Sequence, residues 1–211
     1  MTAMSQAYME DLSGLENREF LSPFPQGRSY SKSCPVQIEL RGSDKPPLIG
    51  FAVLDDQASV SMVDPQVADY FNLVREGLPK VSYSLSTLER NNSPHTGLGV
   101  TGLQVRRIFG EEVSPSQMMR PGMERKLVQL PMCIESVRIP EVREEIPDPE
   151  DVRGMFGEDG DWMSLGGKFP RKDPSWTTLL LLGRNCKKAM EVKHFVRGRE
   201  GRPHAVETGL R

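Results

Sequence analysis

The sequence predicts a mainly β domain, built as a closed sheet of short strands with one or two short helices. Three observations point there. Apolar residues recur with a period of two in several short stretches, turn-forming residues separate those stretches, and helix-start signals are few. The chain has 211 residues, with 17 Pro and 19 Gly, 37% hydrophobic and 7% aromatic residues. That is enough for one domain with a modest core and much irregular structure.

Taken in order, residues 1–34 are polar and read as a flexible lead-in, with "SPFPQGRSYSKS" as its turn-rich end. In "PVQIELRG" (35–42), Val36, Ile38 and Leu40 alternate with polar neighbours, as on a half-buried strand. "SDKPP" makes a turn, and "LIGFAVL" (48–54) is apolar enough to be buried on both faces. After Asp55-Asp56-Gln57, "ASVSMV" is a second short strand. "DPQVADYFNL" opens with an Asp cap and a Pro at the first helical position, which predicts a short helix to Leu73. "VSYSLSTL" (81–88) is strand-like, and "NNSPHTGLGVTG" (91–102) reads as a long hairpin loop before a strand at 103–109.

Residues 113–125 read as another loop, and "KLVQLPMCIESV" (126–137) as a strand interrupted by Pro131. Residues 141–161 hold nine acidic and two basic residues and read as an exposed loop or short helix, within a longer acidic loop over 138–175. "WTTLLLLGRNCKKAMEV" (176–192) gives a buried strand, a glycine turn and a short helix. The domain thus spans 35–192, and 193–211 is a basic, glycine-rich tail or linker.

Several functions are disfavoured. A formal net charge of −2 creates no global field for nucleic acid or an anionic membrane. The N-terminal stretch lacks the apolar segment of a secretory signal, and the run Leu179–Leu182 is far too short to span a bilayer. Cys34, Cys133 and Cys186 are scattered and odd in number, which fits reduced thiols in a cytoplasmic protein. His95, His194 and His204 show no metal-ligand spacing, so neither metal nor cofactor is expected. "GLGVTG" (97–102) matches a dinucleotide fingerprint in letters only, because no strand precedes it and no helix follows. The basic stretch 184–202 reads as a solvated face rather than a specific nucleic-acid surface.

Two segments carry chemistry. "AVLDDQAS" is an apolar strand ending at Asp55, and "LLLLGRN", beginning at Leu179, is an apolar strand followed by glycine, arginine and a helix. Together, and with "VADYFNL", "IPEVREEIPDPEDV" and "RPHAVETGLR", they resemble the peptidase region of Pao/BEL-type retrotransposon polyproteins, which are retropepsin-like aspartic peptidases. The likeness covers residues 35–211. It implies the closed acid-protease barrel and an endopeptidase that processes a polyprotein. It also implies a homodimer, because one chain offers only one aspartate motif and the chemistry needs two carboxylates sharing a proton.

By that resemblance Asp55 is the catalytic aspartate, and Asp56, Gln57, Ala58 and Ser59 form the active-site loop. Thr96, Gly97, Leu98 and Gly99 belong to a flap (Thr96–Gly102) over an extended peptide substrate, and Leu182, Gly183 and Arg184 to the supporting strand and turn. The chain departs from the family pattern at three positions. Asp56 stands where Thr or Ser braces the two protomers, Gln57 where a glycine lets the backbone approach, and Ser59 where retroviral members place an acid that pairs with the arginine. Two readings follow: an active peptidase, or the same dimeric fold retained as a module that grips extended peptides without cutting them.

Overall fold

The computed structural model describes residues 32–85, 93–108, 127–150, 171–196 and 205–210. The expected lead-in up to residue 31, the loop 113–125 and the part of the acidic loop over 151–170 lie outside them. The described chain is mostly β. It contains eleven strands and two short α-helices, α1 (Pro65–Tyr70) and α2 (Lys187–Met190). The strands are β1 (Ser33–Leu40), β2 (Leu48–Leu54), β3 (Met62–Val63), β4 (Lys80–Leu85), β5 (Ser93–Val100), β6 (Leu103–Arg107), β7 (Val128–Gln129), β8 (Cys133–Glu135), β9 (Thr178–Leu182), β10 (Val192–Val196) and β11 (Ala205–Thr208).

Nine of these strands form one curled sheet in the order β4-β5-β8-β3-β9-β2-β1-β6-β7, and β10 pairs with β11 separately. The expected closed barrel is not reached among the described residues. The ladder ends at β4 and β7, and β7 is only two residues long, held against β6 by Gln104↔Gln129 and Val105↔Val128. The stretch 126–137 is also two strands, not one. Pro131 cannot donate to a ladder, and the chain uses the break to change partners. β7 joins β6, whereas β8 joins β3 and β5.

The two faces of β2 explain its unbroken apolar sequence. Ala52 and Leu54 enter the main core with Val36, Ile38, Leu103, Val105, Leu180 and Leu182, while Phe51 and Val53 face a second cluster with Val142, Ile146 and Trp176. Residues 141–146 are therefore not an exposed acidic loop. They include a 3-10 turn over Arg143–Glu145 whose flanking Val142 and Ile146 are buried. Glu141 pins the segment to β9, accepting from Thr178 N at 3.1 Å and from Thr178 Oγ1 at 2.8 Å.

Other differences are local. "ASVSMV" supplies only the two strand residues Met62 and Val63. Helix α1 is capped by Asp64, whose Oδ1 accepts from Gln66 N at 2.9 Å, with Pro65 at its start. It ends at Tyr70 rather than at Leu73, because Asn72 turns left-handed with φ 54° and the Leu73 N–H returns to the Ala68 carbonyl at 2.9 Å. The glycine-rich 93–100 is strand β5, paired with β4 over 93–98 and with β8 at Gly99 and Val100, and the stretch 86–92 lies outside the described residues. The C-terminal stretch read as a tail contributes the β10–β11 pair, and Leu210 is buried in the main core.

Leu180 lies on β9 between β2 and β3 and is fully buried. Leu180→Ala is expected to cost about 2–5 kcal/mol of stability through lost transfer free energy and the cavity left behind. Urea denaturation of the two proteins measures it as a lowered midpoint at unchanged slope.

Candidate functional site

The strand β2 runs parallel to β9, with Leu54 opposite Leu182, so both reach the same end of the sheet together. Asp55 continues β2 by one residue and donates its N–H to the Leu182 carbonyl at 3.0 Å. The chain then folds over the end of β9. Arg184 N donates to the Ala58 carbonyl at 2.9 Å, and Gly183 lies beneath the carbonyls of residues 58 and 60. A Cβ on Gly183 would sit 2.5 Å from the Val60 oxygen and 2.8 Å from the Ala58 oxygen, so only glycine allows the crossing.

Ser61 closes the crossing from below. It is fully buried; its Oγ accepts from Gly183 N at 3.1 Å and donates to Asn185 Oδ1 at 2.7 Å. A buried main-chain N–H inside an apolar sheet needs such a partner. Asn185 closes the "LLLLGRN" segment, whereas Ser61 lies outside both sequence motifs. The serine does interrupt an apolar run, which is the signal a buried hydroxyl leaves.

The carboxylates themselves are arranged asymmetrically. Asp55 is half-buried, and its Oδ1 accepts the Gln57 N–H at 2.8 Å, a turn that aims the side chain back over the loop. Asp56 is exposed and turns to Lys32, whose Nζ stands 2.7 Å from Asp56 Oδ2. Gln57 Nε2 donates to the other oxygen, Oδ1, at 3.0 Å. The hydrogen bond from Lys32, then that from Gln57 and the Lys32 charge hold the Asp56 carboxyl below its ordinary value of 3.8. Any stability this gives is present above the ordinary value and is lost as pH falls through the folded one. Lys32 belongs to the stretch read as a flexible lead-in, and only its charge opposite Asp56 marks it.

Gln57, which stands where the family pattern has a glycine, keeps to the loop. Its amide folds onto Asp56, and its backbone avoids the left-handed region, since Asn72 is the one non-glycine residue with positive φ among those described. Ser59 and the Arg184 side chain are exposed, and Arg184 is joined to the loop through its main chain.

Thr96, Gly97, Leu98 and Gly99 lie within β5, not in a loop. The glycines serve close strand packing. A Cβ on Gly97 would come within 2.5 Å of Ile134 Cγ2 and 2.9 Å of the Glu135 carbonyl. Beside them, His95 stacks at a tilt against Tyr83, its cross-strand neighbour, and its Nε2 is 3.0 Å from an Arg138 guanidinium nitrogen.

Among the described residues no group of three or more His, Cys, Asp and Glu is placed to hold a metal ion, and no helix is long and apolar enough to cross a membrane. The three cysteines are free, and burial pushes the Cys133 thiol up to about 12. No protein-family model matches the chain, and the searches of curated proteins and of solved structures return no significant match.

Gly183→Ala is expected to destabilise the protein by about 3 kcal/mol, the upper end of overpacking costs, because the atoms it meets are backbone and cannot rotate away. Ser61→Ala, which leaves the buried Gly183 N–H unpaired, is expected to cost about 1–3 kcal/mol. Thermal melts of the two variants test both, and a Gly183→Ala protein as stable as wild type would contradict the close crossing at Gly183.

Proposed function

We propose that the chain is an aspartic endopeptidase of the retropepsin type, similar to the Pao/BEL polyprotein peptidases, acting as a homodimer on extended peptide segments. The observation that carries this reading is the position of Asp55. It leaves an apolar strand at the point where the loop crosses Gly183, with its N–H fixed on Leu182 and its carboxyl partly open to solvent. Such a carboxyl is rigidly placed yet accessible, as a reacting group must be.

The chemistry follows from pairing two copies of this loop. Two carboxylates brought about 3 Å apart cannot both ionise, so they share one proton. The ionised member takes a proton from an attacking water, while the protonated one donates to the scissile carbonyl. One oxygen of Asp55 accepts from Gln57 N, which orients the carboxyl and leaves its remaining acceptor sites for water or for the partner's carboxyl. No covalent intermediate forms and no cofactor is required. An extended substrate would be covered by the β4–β5 hairpin, which carries Thr96, Gly97, Leu98 and Gly99 on its second strand.

The Asp56-Gln57 pair favours a second reading, a dimeric peptide-binding module without catalysis. Those positions carry a carboxylate and an amide bonded to each other rather than a hydroxyl and a glycine.

The deciding experiment is cleavage of a broad peptide library by the purified protein at mildly acid pH. The peptidase reading expects cleavage that pepstatin blocks and a specific activity that falls on dilution below the dimer's dissociation constant. Asp55→Asn is expected to lower kcat/KM by a factor of about 10²–10⁴ or more. Peptide binding with equal inertness of wild type and Asp55→Asn would support the second reading.

A further inference from the structure

The contact between Lys32 and Asp56 gains a role if Asp55 is half of a shared acid pair, the reading on which this inference rests. We infer that Lys32 is a positioning residue for that pair: it keeps the loop's second carboxylate turned away from Asp55 and compensated, with Gln57 as the connecting piece. The contacts are continuous. Lys32 Nζ lies 2.7 Å from Asp56 Oδ2, Gln57 Nε2 lies 3.0 Å from Asp56 Oδ1, and Gln57 N lies 2.8 Å from Asp55 Oδ1.

The ammonium is not placed there by a wandering side chain alone. Lys32 immediately precedes β1, and its carbonyl accepts the Leu54 N–H at 2.7 Å, extending the β1–β2 ladder to the residue before Asp55. The sheet register therefore delivers the positive charge to the loop. Among the described residues, the charged groups on Asp56's loop and on the segments bonded to it are Lys32 ahead of β1, Asp55 in the same loop and Arg184 on the turn after β9. The Arg184 main chain bonds Ala58 while its guanidinium stays exposed.

The Lys32 and Asp56 side chains are 66% and 57% exposed, so the pair adds little to stability. Its consequence is where charge sits. Two loops meeting on a twofold axis bring four carboxylates together. Two uncompensated Asp56 charges would each favour protonation of the shared pair and move its working range upward. With Lys32 bound to each, the surplus negative charge is cancelled locally, and Asp56 is held by two donors in an orientation that leaves Asp55 free.

Lys32→Gln tests this in two independent ways. In the pH profile of kcat/KM both limbs are expected to move to higher pH by about half a unit, the effect of removing one partly screened charge from each of the two copies. Lys32→Arg is expected to restore the wild-type profile, and in an Asp56→Asn background Lys32→Gln is expected to shift the profile far less. Carboxyl-carbon NMR titration needs no activity: Asp56 is expected to titrate below 3.8 in the wild type and to rise toward that value in Lys32→Gln. An Asp56 titration identical in both proteins, or an arginine that fails to restore the profile, overturns the inference. The peptidase reading fails separately, when Asp55→Asn and wild type behave alike.

Discussion

Two carbonyl oxygens close over Gly183, and the geometry of the whole candidate site depends on that approach. Without a Cβ at this position the loop after β2 can lie directly on the end of β9, within reach of the Leu182 carbonyl and the Arg184 N–H. Because β2 and β9 are parallel, the loop that leaves one strand and the helix that follows the other emerge at the same end of the sheet. Parallel neighbours require a long connection, and here it runs through β3–β8 and the acidic segment before β9 returns. Asp55 is placed by this arrangement rather than by its own contacts. Its main chain is fixed first, and the carboxyl is then oriented by Gln57 N.

The same parallel pair dictates how the sheet must be covered. β9 is buried at every position and β2 at all but its first two, so both faces of this centre need partners. One face is the main core. The other is closed by Val142, Ile146 and Trp176, with Trp176 edge-on to Phe51 at 5.8 Å between ring centroids. Glu144 and Glu150 are exposed, while Glu141 meets the polar start of β9 through Thr178. An excess of negative charge and a structural role thus coexist in one stretch, because the 3-10 turn over Arg143–Glu145 buries the flanking Val142 and Ile146.

Much of this architecture was legible in the sequence, and the rest failed for identifiable reasons. The period of two in Val36-Ile38 and the unbroken run at 48–54 mark β1 and β2 because burial on one or both faces leaves that imprint directly. Asp64-Pro65 marks the start of α1 because capping is a local interaction. Pairing is not local. Nothing in 126–137 says that Pro131 separates partners on distant parts of the sheet, and nothing in 93–100 says that its glycines accommodate a neighbouring strand instead of a turn. The site follows the same division. Asp55, Gly183 and the loop between 56 and 59 stand out by motif, whereas Ser61, Asn185 and Lys32 acquire their roles only once the register brings them together.

The loop triplet is best understood as a matched set. A hydroxyl in place of Asp56 would leave neither Lys32 nor the Gln57 side chain with the carboxylate each now binds. A glycine in place of Gln57 would leave Asp56 with one donor instead of two, while the main-chain bond to Asp55 would be kept. Gln57 is accommodated because its backbone takes no left-handed conformation, so the freedom a glycine supplies is not used there. Bracing of the loop therefore comes from within the chain, through a cation carried by the residue just before β1. The Asp56 carboxylate beside Asp55 is thus met by two donors, which makes Lys32 as much a part of the Asp55 environment as the residues that follow it in sequence.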